Sequence, residues 1–363
     1  MNELETSRAQ IAALDKEMAA LFEKRMQAVE GVLSYKIRNG LPILDAAQEE
    51  RVLSRGAAYI DNPVLQEYYV LFQRGVMDIS KAYQSRLMQG MKIAYSGIPG
   101  AFAHIASMKL FPDAQALAYP DFESAYRACE DGEADAAILP VENSYAGDVG
   151  RVMDLSFSGG LYINRMGTLD VTQNLLGLPG TRISDIRKVV SHPQALAQCA
   201  SYIQEHGFEE VEYSNTALAA QYVSQLADPS VAAIASAETA ALYGLEVLET
   251  HINASTVNTT RFAVFSKARQ ASGGVSAGDH FILVFTVRNE AGALAKILNI
   301  IGAHGFNMSS LHSRPMTSQE WKHYFFAELE GDVNGSEGQD LLRQLETVCD
   351  KLKMIGSYKN LAL

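Results

Sequence analysis

Apolar positions in the first 89 residues recur at helical spacing and contain no strand-like run. Leu4, Ser7, Ile11, Leu14, Met18, Leu21, Ala28 and Val32 make a heptad-like seam of apolar and small residues, which predicts one long helix with Arg25 on the seam. Breaks at Arg38-Asn39-Gly40-Leu41-Pro42 and Asp61-Asn62-Pro63 divide the segment into a long first helix, a short second one and a third from about Pro63 to Gln89. From Met91 the pattern changes. Short apolar runs at 92–95, 136–141, 189–191, 232–235 and 262–265 alternate with alanine-rich helical stretches, which predicts α/β layers with parallel strands and length enough for two lobes and a cleft. A polar Gly/Ser stretch at 267–279 reads as a linker. Beyond it the pattern is strand 281–288, helix 291–304, strands 308–315 and 324–329, helix 337–349 and a last strand near 354–358, the βαββαβ order of a ferredoxin-like fold. The expected organisation is an all-α domain (1–90), a two-lobed α/β domain (91–267), a linker (268–279) and an α+β domain (280–363).

Composition narrows the class. At 363 residues, two or three domains are expected, and 48% hydrophobic with 20% charged residues is a soluble globular balance. No apolar run approaches the roughly 20 residues needed to cross a bilayer, and the first residues have neither a basic nor an apolar leader segment, so a cytoplasmic location is expected. Cys129, Cys199 and Cys349 are far apart, without CxxC spacing or clustered histidines, so neither disulfides nor a metal site is expected, and no cofactor is called for. The net charge of −12 argues against nucleic acid and anionic membrane as partners, and any anionic ligand must be held against that background.

Candidate chemistry in the helical part is a spaced set of charges. Arg8 and Arg25 are roughly 25 Å apart along one helix, whereas Arg25 and Lys36 share a face about 16 Å apart. If Arg8 belongs to the same site it must come from a second chain packed antiparallel. Arg25 on its seam also fits a snorkelling surface residue, and Asp45-Ala46-Ala47-Gln48 is also a helix-capping pattern. Asp45 and Glu49 share a helical face, as do Ser80 and Gln84. Together these residues resemble the all-helical chorismate mutase family across 4–88. The resemblance assigns Arg8 (from the partner chain) and Arg25 to carboxylates, Lys36 and Gln84 to the ether oxygen, and Asp45 and Glu49 to a hydroxyl, with Ser80 nearby. Gln48 stands where the family often has arginine. A Claisen rearrangement suits such residues, since it needs only a held conformer and donors for charge growing on the breaking ether oxygen.

Four strings stand out in the α/β part: Gly97-Ile98-Pro99-Gly100 running to His104, Pro140-Val141-Glu142-Asn143-Ser144, Ser191-His192-Pro193-Gln194 running to Gln198, and Asn258-Thr259-Thr260-Arg261-Phe262. Each lies at the end of an expected strand or just after it, where open α/β sheets bind ligands. Arg261 suits a carboxylate and Thr260 a proton donation; a tight turn at the glycines, a helix cap at 142–144 and a packed loop histidine at His192 are the structural uses open to the same residues. In this order and spacing the strings resemble prephenate dehydratase across 92–266. The resemblance implies a two-lobed, periplasmic-binding-protein-like fold, Thr260 helping the ring hydroxyl leave, and a cleft lined by Glu142, Asn143, Ser144, Ser191, Gln198, Thr216, Thr260, Arg261 and Phe262. Gln173 stands where that family commonly has histidine, and Ala101 and Ala103 where it has hydroxyl residues.

Glu290 to Leu294, Gly305 to Met308 and His312-Ser313-Arg314-Pro315 resemble the ACT domain that follows prephenate dehydratases. The resemblance implies phenylalanine as an allosteric ligand, held by Gly292, Ala293, Leu294, Asn307, Met308, Ser313 and Arg314 at an interface of a homo-oligomer; a structural dimerisation module is the alternative. His312 replaces the family's glutamate. The expected function is conversion of chorismate to prephenate and of prephenate to phenylpyruvate, in phenylalanine biosynthesis. A non-catalytic two-lobed sensor, or a dehydratase without mutase activity, are its rivals.

Overall fold

A computed structural model describes residues 2–145, 147–254, 258–269, 279–316 and 323–363 of the chain. Most of the expected linker at 268–279 lies outside the described residues. The chain forms two compact units, Met1–Met91 and Lys92–Leu363.

The first unit is three helices: α1 (Glu3–Arg38), α2 (Ala46–Ala57) and α3 (Pro63–Gln89). Each begins on a side chain that accepts from a free backbone N–H. Asn2 and Glu5 form a reciprocal capping box, Asp45 accepts from Gln48, and Asn62 accepts from Val64 just before Pro63 at the first helical position. Little is buried within this unit. Leu33, Gly56, Met77, Ser80 and Gln84 are its interior, whereas the seam residues Leu4, Ile11, Leu14, Met18, Leu21 and Val32 are all about half exposed or more. The single chain leaves this apolar stripe of α1 uncovered.

The second unit begins with β1 (Lys92–Ser96), α4 (Phe102–Leu110), β2 (Gln115–Tyr119), α5 (Phe122–Asp131), β3 (Ala136–Asn143), the short β4 (Gly147–Asp148), α6 (Gly150–Ser158) and β5 (Tyr162–Asp170). The chain then crosses to a second lobe of β6 (Asn174–Gly177), β7 (Lys188–Ser191), α7 (Pro193–Gln198), α8 (Ala200–His206), β8 (Glu209–Glu212), α9 (Thr216–Leu226), β9 (Val231–Ala235), α10 (Ala237–Tyr243) and β10 (Glu246–Glu249). It returns as β11 (Thr259–Ser266), between β3 and β5. The last part is β12 (Asp279–Thr286), α11 (Ala293–Ala303), β13 (Asn307–Pro315), β14 (His323–Glu330), α12 (Ser336–Glu346) and β15 (Lys351–Ala362).

The strands form two sheets, and only part of each is parallel, which corrects the expectation. β2, β1 and β3 run parallel, as do β8, β7 and β9, but β11 pairs antiparallel with both β3 and β5, and β6 and β10 are antiparallel too. Strands β5 and β6 were not anticipated: the first carries Asn164, Arg165 and Asp170 and reads as too polar, and the second directly continues it.

The first-lobe sheet does not stop at the ferredoxin-like part. The order β13-β14-β12-β15-β5-β11-β3-β1-β2 is continuous, because β15 outruns its expected end and pairs in parallel with β5 through Gly356 and residues 360–362. A side chain at Gly356 would begin 2.2 Å from the Ile163 carbonyl oxygen, so the junction requires glycine there. Burial follows. On β12, Phe281, Leu283 and Phe285 enter the core under α11 and α12, while Ile282 and Val284 join Tyr324, Phe326 and Ile355 in the core that contains Val152, Met153 and Leu155 of α6. Phe157 of α6 stacks on Tyr324 with centroids 4.4 Å apart. The ferredoxin-like sheet is therefore buried on both faces.

Candidate functional site

In the helical unit α1 and α3 bring together Arg25, Ser80 and Gln84. Arg25 Nη1 donates to Ser80 Oγ at 2.5 Å, and Gln84 Nε2 donates to the Ser80 carbonyl at 3.3 Å. Gln84 Oε1 is buried without a hydrogen-bond partner. An unsatisfied buried amide oxygen costs on the order of 1–3 kcal/mol, and this one is free to accept a hydrogen bond. Lys36 folds over the turn and donates to the Ile43 carbonyl. Glu49 pairs with Lys81 Nζ at 3.1 Å, and Lys81 also holds Asp78 at 3.0 Å. Those contacts, Asp78 foremost, raise the Lys81 pKa over the opposing effect of burial. Sequence reasoning overlooked Lys81, whose signal was its place between Ser80 and Gln84. Asp45 caps α2, accepting from Gln48 N at 3.0 Å, so one of its oxygens is committed to the helix. Arg8 lies on exposed α1, roughly 25 Å from Arg25.

Between the lobes of the second unit lies a cavity of about 620 Å³, within the range of small-molecule sites. Thr260, Phe262, Pro140 and Asn143 wall it from the first lobe, and Gln194, Gln198 and Thr216 from the second. Thr260 is nine-tenths buried. Asn143 Nδ2 donates to Thr260 Oγ1 at 2.9 Å, to Asn258 Oδ1 at 3.0 Å and to the Thr259 carbonyl at 3.1 Å. With Oγ1 accepting from Asn143, the Thr260 hydroxyl proton is directed elsewhere. Asn258 Nδ2 donates to Gln198 Oε1 at 3.0 Å, and Gln173 Nε2 to the same oxygen at 3.4 Å. Gln173 is 2% exposed and lines the cavity, and its Oε1 has no hydrogen-bond partner. That oxygen is free to accept a hydrogen bond from a molecule in the cavity.

None of the described residues lining this cavity is Lys or Arg, and Asp148 brings a carboxylate to its rim. Positive potential comes from backbone instead. The cavity wall includes the N-terminal residues of α4 (Ala101 to Ala103), α6 (Val149, Gly150) and α9 (Ser214 to Thr216), whose helix dipoles favour anions, although the Ala101 and Val149 N–H groups already donate to the Ile98 and Val141 carbonyls and Asn215 caps α9.

Of the expected cleft residues, Asn143, Gln198, Thr216, Thr260 and Phe262 line the cavity, and four do not. Strand alternation turns Arg261 away from Thr260 and Phe262. Its guanidinium binds Glu328 at 2.6 and 2.8 Å and Glu142 at 3.1 Å. Arg261 and Glu142 thus hold each other on the far face, and carboxylate recognition by Arg261 is not the role this geometry supports. Burial opposes both charges, but the Glu328 contacts hold the Arg261 pKa above its usual value, and Arg261 with Tyr358 hold that of Glu328 below. Ser191 is fully buried and donates to the Ile234 carbonyl at 2.6 Å, and Ser144 Oγ accepts from Thr259 N at 2.9 Å. Both are structural.

A second cavity, about 740 Å³, opens beside the N-terminus of α11. Ala293, Leu294 and Ser313 line it, with Arg288, Glu290, Met316, Phe325 and Lys351. Gly292 makes the left-handed turn before them at φ +82. Asn307 and Met308 sit at the other end of β13, and Arg314 points to Asp154, so these three expected ligand contacts are not made within one chain.

Three comparisons with known proteins agree with this layout. Residues 7–85 match the family model for chorismate mutase type II, 93–270 that for prephenate dehydratase and 281–347 that for the ACT domain. The bifunctional chorismate mutase/prephenate dehydratase of Escherichia coli K12 is 30% identical over 377 residues, covering 98% of this chain and 96% of that one. Among solved structures, prephenate dehydratase from Arthrobacter aurescens, in complex with L-Phe, superposes with a TM-score of 0.69 at 30% identity over 74% of this chain and 90% of that one. GqqA, described as a novel type of quorum quenching acylase, gives 0.69 at 32% identity over 74% and 98%.

Proposed function

Because the chain belongs to the bifunctional chorismate mutase/prephenate dehydratase family, we propose a division of labour in which the helical unit rearranges chorismate and the interlobe cavity converts prephenate. The chain makes phenylpyruvate from chorismate by these two steps, on the route to phenylalanine, and the ACT domain ties it to regulation by phenylalanine. In the first step Arg25 holds a carboxylate, Lys36 and Gln84 donate to the ether oxygen, and Glu49 and Asp45 receive the hydroxyl beside Ser80. Nothing is transferred to the protein. The work is conformational selection and stabilisation of developing negative charge. Arg8 enters from a second copy of the chain, and the half-exposed seam of α1 is the surface that second copy covers. Cytoplasmic action as a homo-oligomer is part of the same reading, supported by free thiols at Cys129, Cys199 and Cys349.

In the second step the C–C bond to the ring carboxylate breaks, and its electrons enter the ring as carbon dioxide leaves. The C–O bond to the ring hydroxyl breaks with a proton supplied through Thr260, giving water. Solvent restores that proton. The observation that carries this assignment is Thr260 Oγ1, buried on the cavity wall and accepting from Asn143, which leaves its own proton for the substrate. Phenylalanine occupies the cavity at Ala293, Leu294 and Ser313. The likeness to an acylase covers the same three-quarters of the chain as the likeness to a dehydratase, so shape does not separate those chemistries; the bifunctional relatives, aligned over nearly the whole chain, do.

The test supplies chorismate or prephenate to the full chain and follows each with phenylpyruvate, with and without phenylalanine. Lys36→Ala should abolish chorismate loss and spare prephenate conversion, and Thr260→Ala should do the reverse. Loss of both activities from either change in folded protein would show that the two sites are not separate.

A further inference from the structure

Strand β13 serves both cavities. Its Ser313 faces the second cavity, while its neighbours His312 and Arg314 point the other way, onto the segment that rims the interlobe cavity. His312 Nδ1 lies 2.6 Å from Asp148 Oδ2. A carboxylate oxygen only accepts, so Nδ1 carries the proton. Asp148, with Gly147, Val149 and Gly150, is part of the interlobe cavity wall. Two residues further along β13, Arg314 binds Asp154 of α6 through two parallel contacts of 2.9 and 3.0 Å, and Tyr324 OH adds a third at 2.6 Å. The guanidinium passes so near Gly150 that a Cβ there would meet Arg314 Nη1 at 2.1 Å. The start of α6 is thus gripped by β13 on one side and faces the substrate cavity on the other.

We propose that His312 is a positioning residue of the dehydratase reaction: it ties down the Asp148 carboxylate and masks its charge, so that the rim of the cavity admits a dianion. This rests on the reading of the interlobe cavity as the prephenate site. Without His312, Asp148 is an unpaired negative charge on a cavity that has no described Lys or Arg in its wall, and it repels the incoming carboxylates. Arg314 does not replace it, because its guanidinium is already committed to Asp154. The tie is particular to this sequence, since histidine stands at a position where the resemblance implies glutamate, which would repel Asp148.

The experiment is a double-mutant cycle on the full chain, with steady-state prephenate kinetics and chorismate loss as an internal control for folded protein. His312→Ala should raise the KM for prephenate by roughly three- to tenfold, the scale of one uncovered like charge at a partly solvated site, with kcat within about twofold. In an Asp148→Asn background the same change should have little effect on KM. His312→Gln, which can still donate to Asp148, should restore part of the loss. Equal KM increases in both backgrounds, an unchanged KM, or a fall in kcat alone would overturn the proposal. Thr260→Ala, measured alongside, separates the two levels: if it retains prephenate turnover, the cavity reading is at fault, and if it loses turnover while the cycle is additive, the role of His312 is.

Discussion

Replacing Glu328 by glutamine tests the junction between β11 and the ferredoxin-like sheet. The carboxylate is 5% exposed. Its two oxygens accept from Arg261 at 2.6 and 2.8 Å and from Tyr358 OH at 2.5 Å, with His280 Nδ1 at 3.6 Å. Glutamine keeps the volume but turns an amide NH2 towards a cluster of donors and leaves Arg261 short of an anion. Breaking a buried pair from one side typically costs about 3–5 kcal/mol. Here Arg261 is 22% exposed and keeps Glu142 at 3.1 Å, so about 2–3 kcal/mol at pH 7 is the expected loss.

The pH dependence has a fixed sign. Burial pushes the Glu328 pKa up, but Arg261 and Tyr358 outweigh it and hold the group below its usual 4.5. A lowered carboxylate pKa contributes stability that is complete above the unfolded value and is lost as pH falls through the folded one. Glu328→Gln should therefore differ most from the native chain at neutral pH, and the two should converge in acid. Urea unfolding followed by far-UV circular dichroism measures this. A loss below about 0.5 kcal/mol at pH 7 would refute the reasoning, as would a difference that widens from pH 7 to pH 3. Because Arg261 follows Thr260 on β11, prephenate turnover should fall with it.

Charging the helical seam by Leu14→Glu with Leu21→Glu should shift the protein towards monomer in light scattering and remove mutase activity, with prephenate conversion retained; an unchanged oligomer would move the interface elsewhere. Gln173→Leu should raise the prephenate KM about tenfold, since it removes both the unpaired oxygen and the donor to Gln198 from the cavity wall; a KM equal to that of the native chain would remove Gln173 from the site.

The helices were legible because local chemistry sets their ends. Asn62 followed by Pro63 fixes the start of α3, and Gly90 its end. The cavity was legible through Thr260, Asn143 and Gln198: Asn143 ends β3 and the string that runs to Gln198 begins where β7 ends, whereas Thr260 opens β11. What escaped was direction. The register between β11 and β3 slips between Arg261 and Phe262, so that Arg261 faces Glu142 while Phe262 faces Pro140. The extra residue is Val141 on β3, which carries no residue signature; the bulge decides that Pro140 and Asn143 of β3 reach the cavity, whereas Arg261 is turned away by plain strand alternation. The same limit applied to β13: His312 was noticed for its type, but its partner Asp148 lies on β4, a two-residue strand too short to read from any apolar pattern. Arg261 was expected to bind a ligand carboxylate and Arg314 to contact phenylalanine, yet each is held by a carboxylate of the protein.

The placement of Arg261 fits the chemistry of the two steps. Both substrates are dianions, but the two reactions ask different things of their carboxylates. In the rearrangement the carboxylates persist unchanged, so a guanidinium can clamp them in the ground state and the transition state alike, and Arg25 suits that task. In the dehydration one carboxylate must give up its charge as carbon dioxide departs. An arginine paired with that group would stabilise the ground state more than the transition state and raise the barrier. On the proposed reading, a cavity walled by helix N-termini, amides and a hydroxyl would attract the dianion more softly, with Thr260 acting where charge accumulates, on the departing hydroxyl. The arginine beside Thr260 is then better placed on the far face of β11, where Glu328 and Glu142 fix the strand that carries the proton donor.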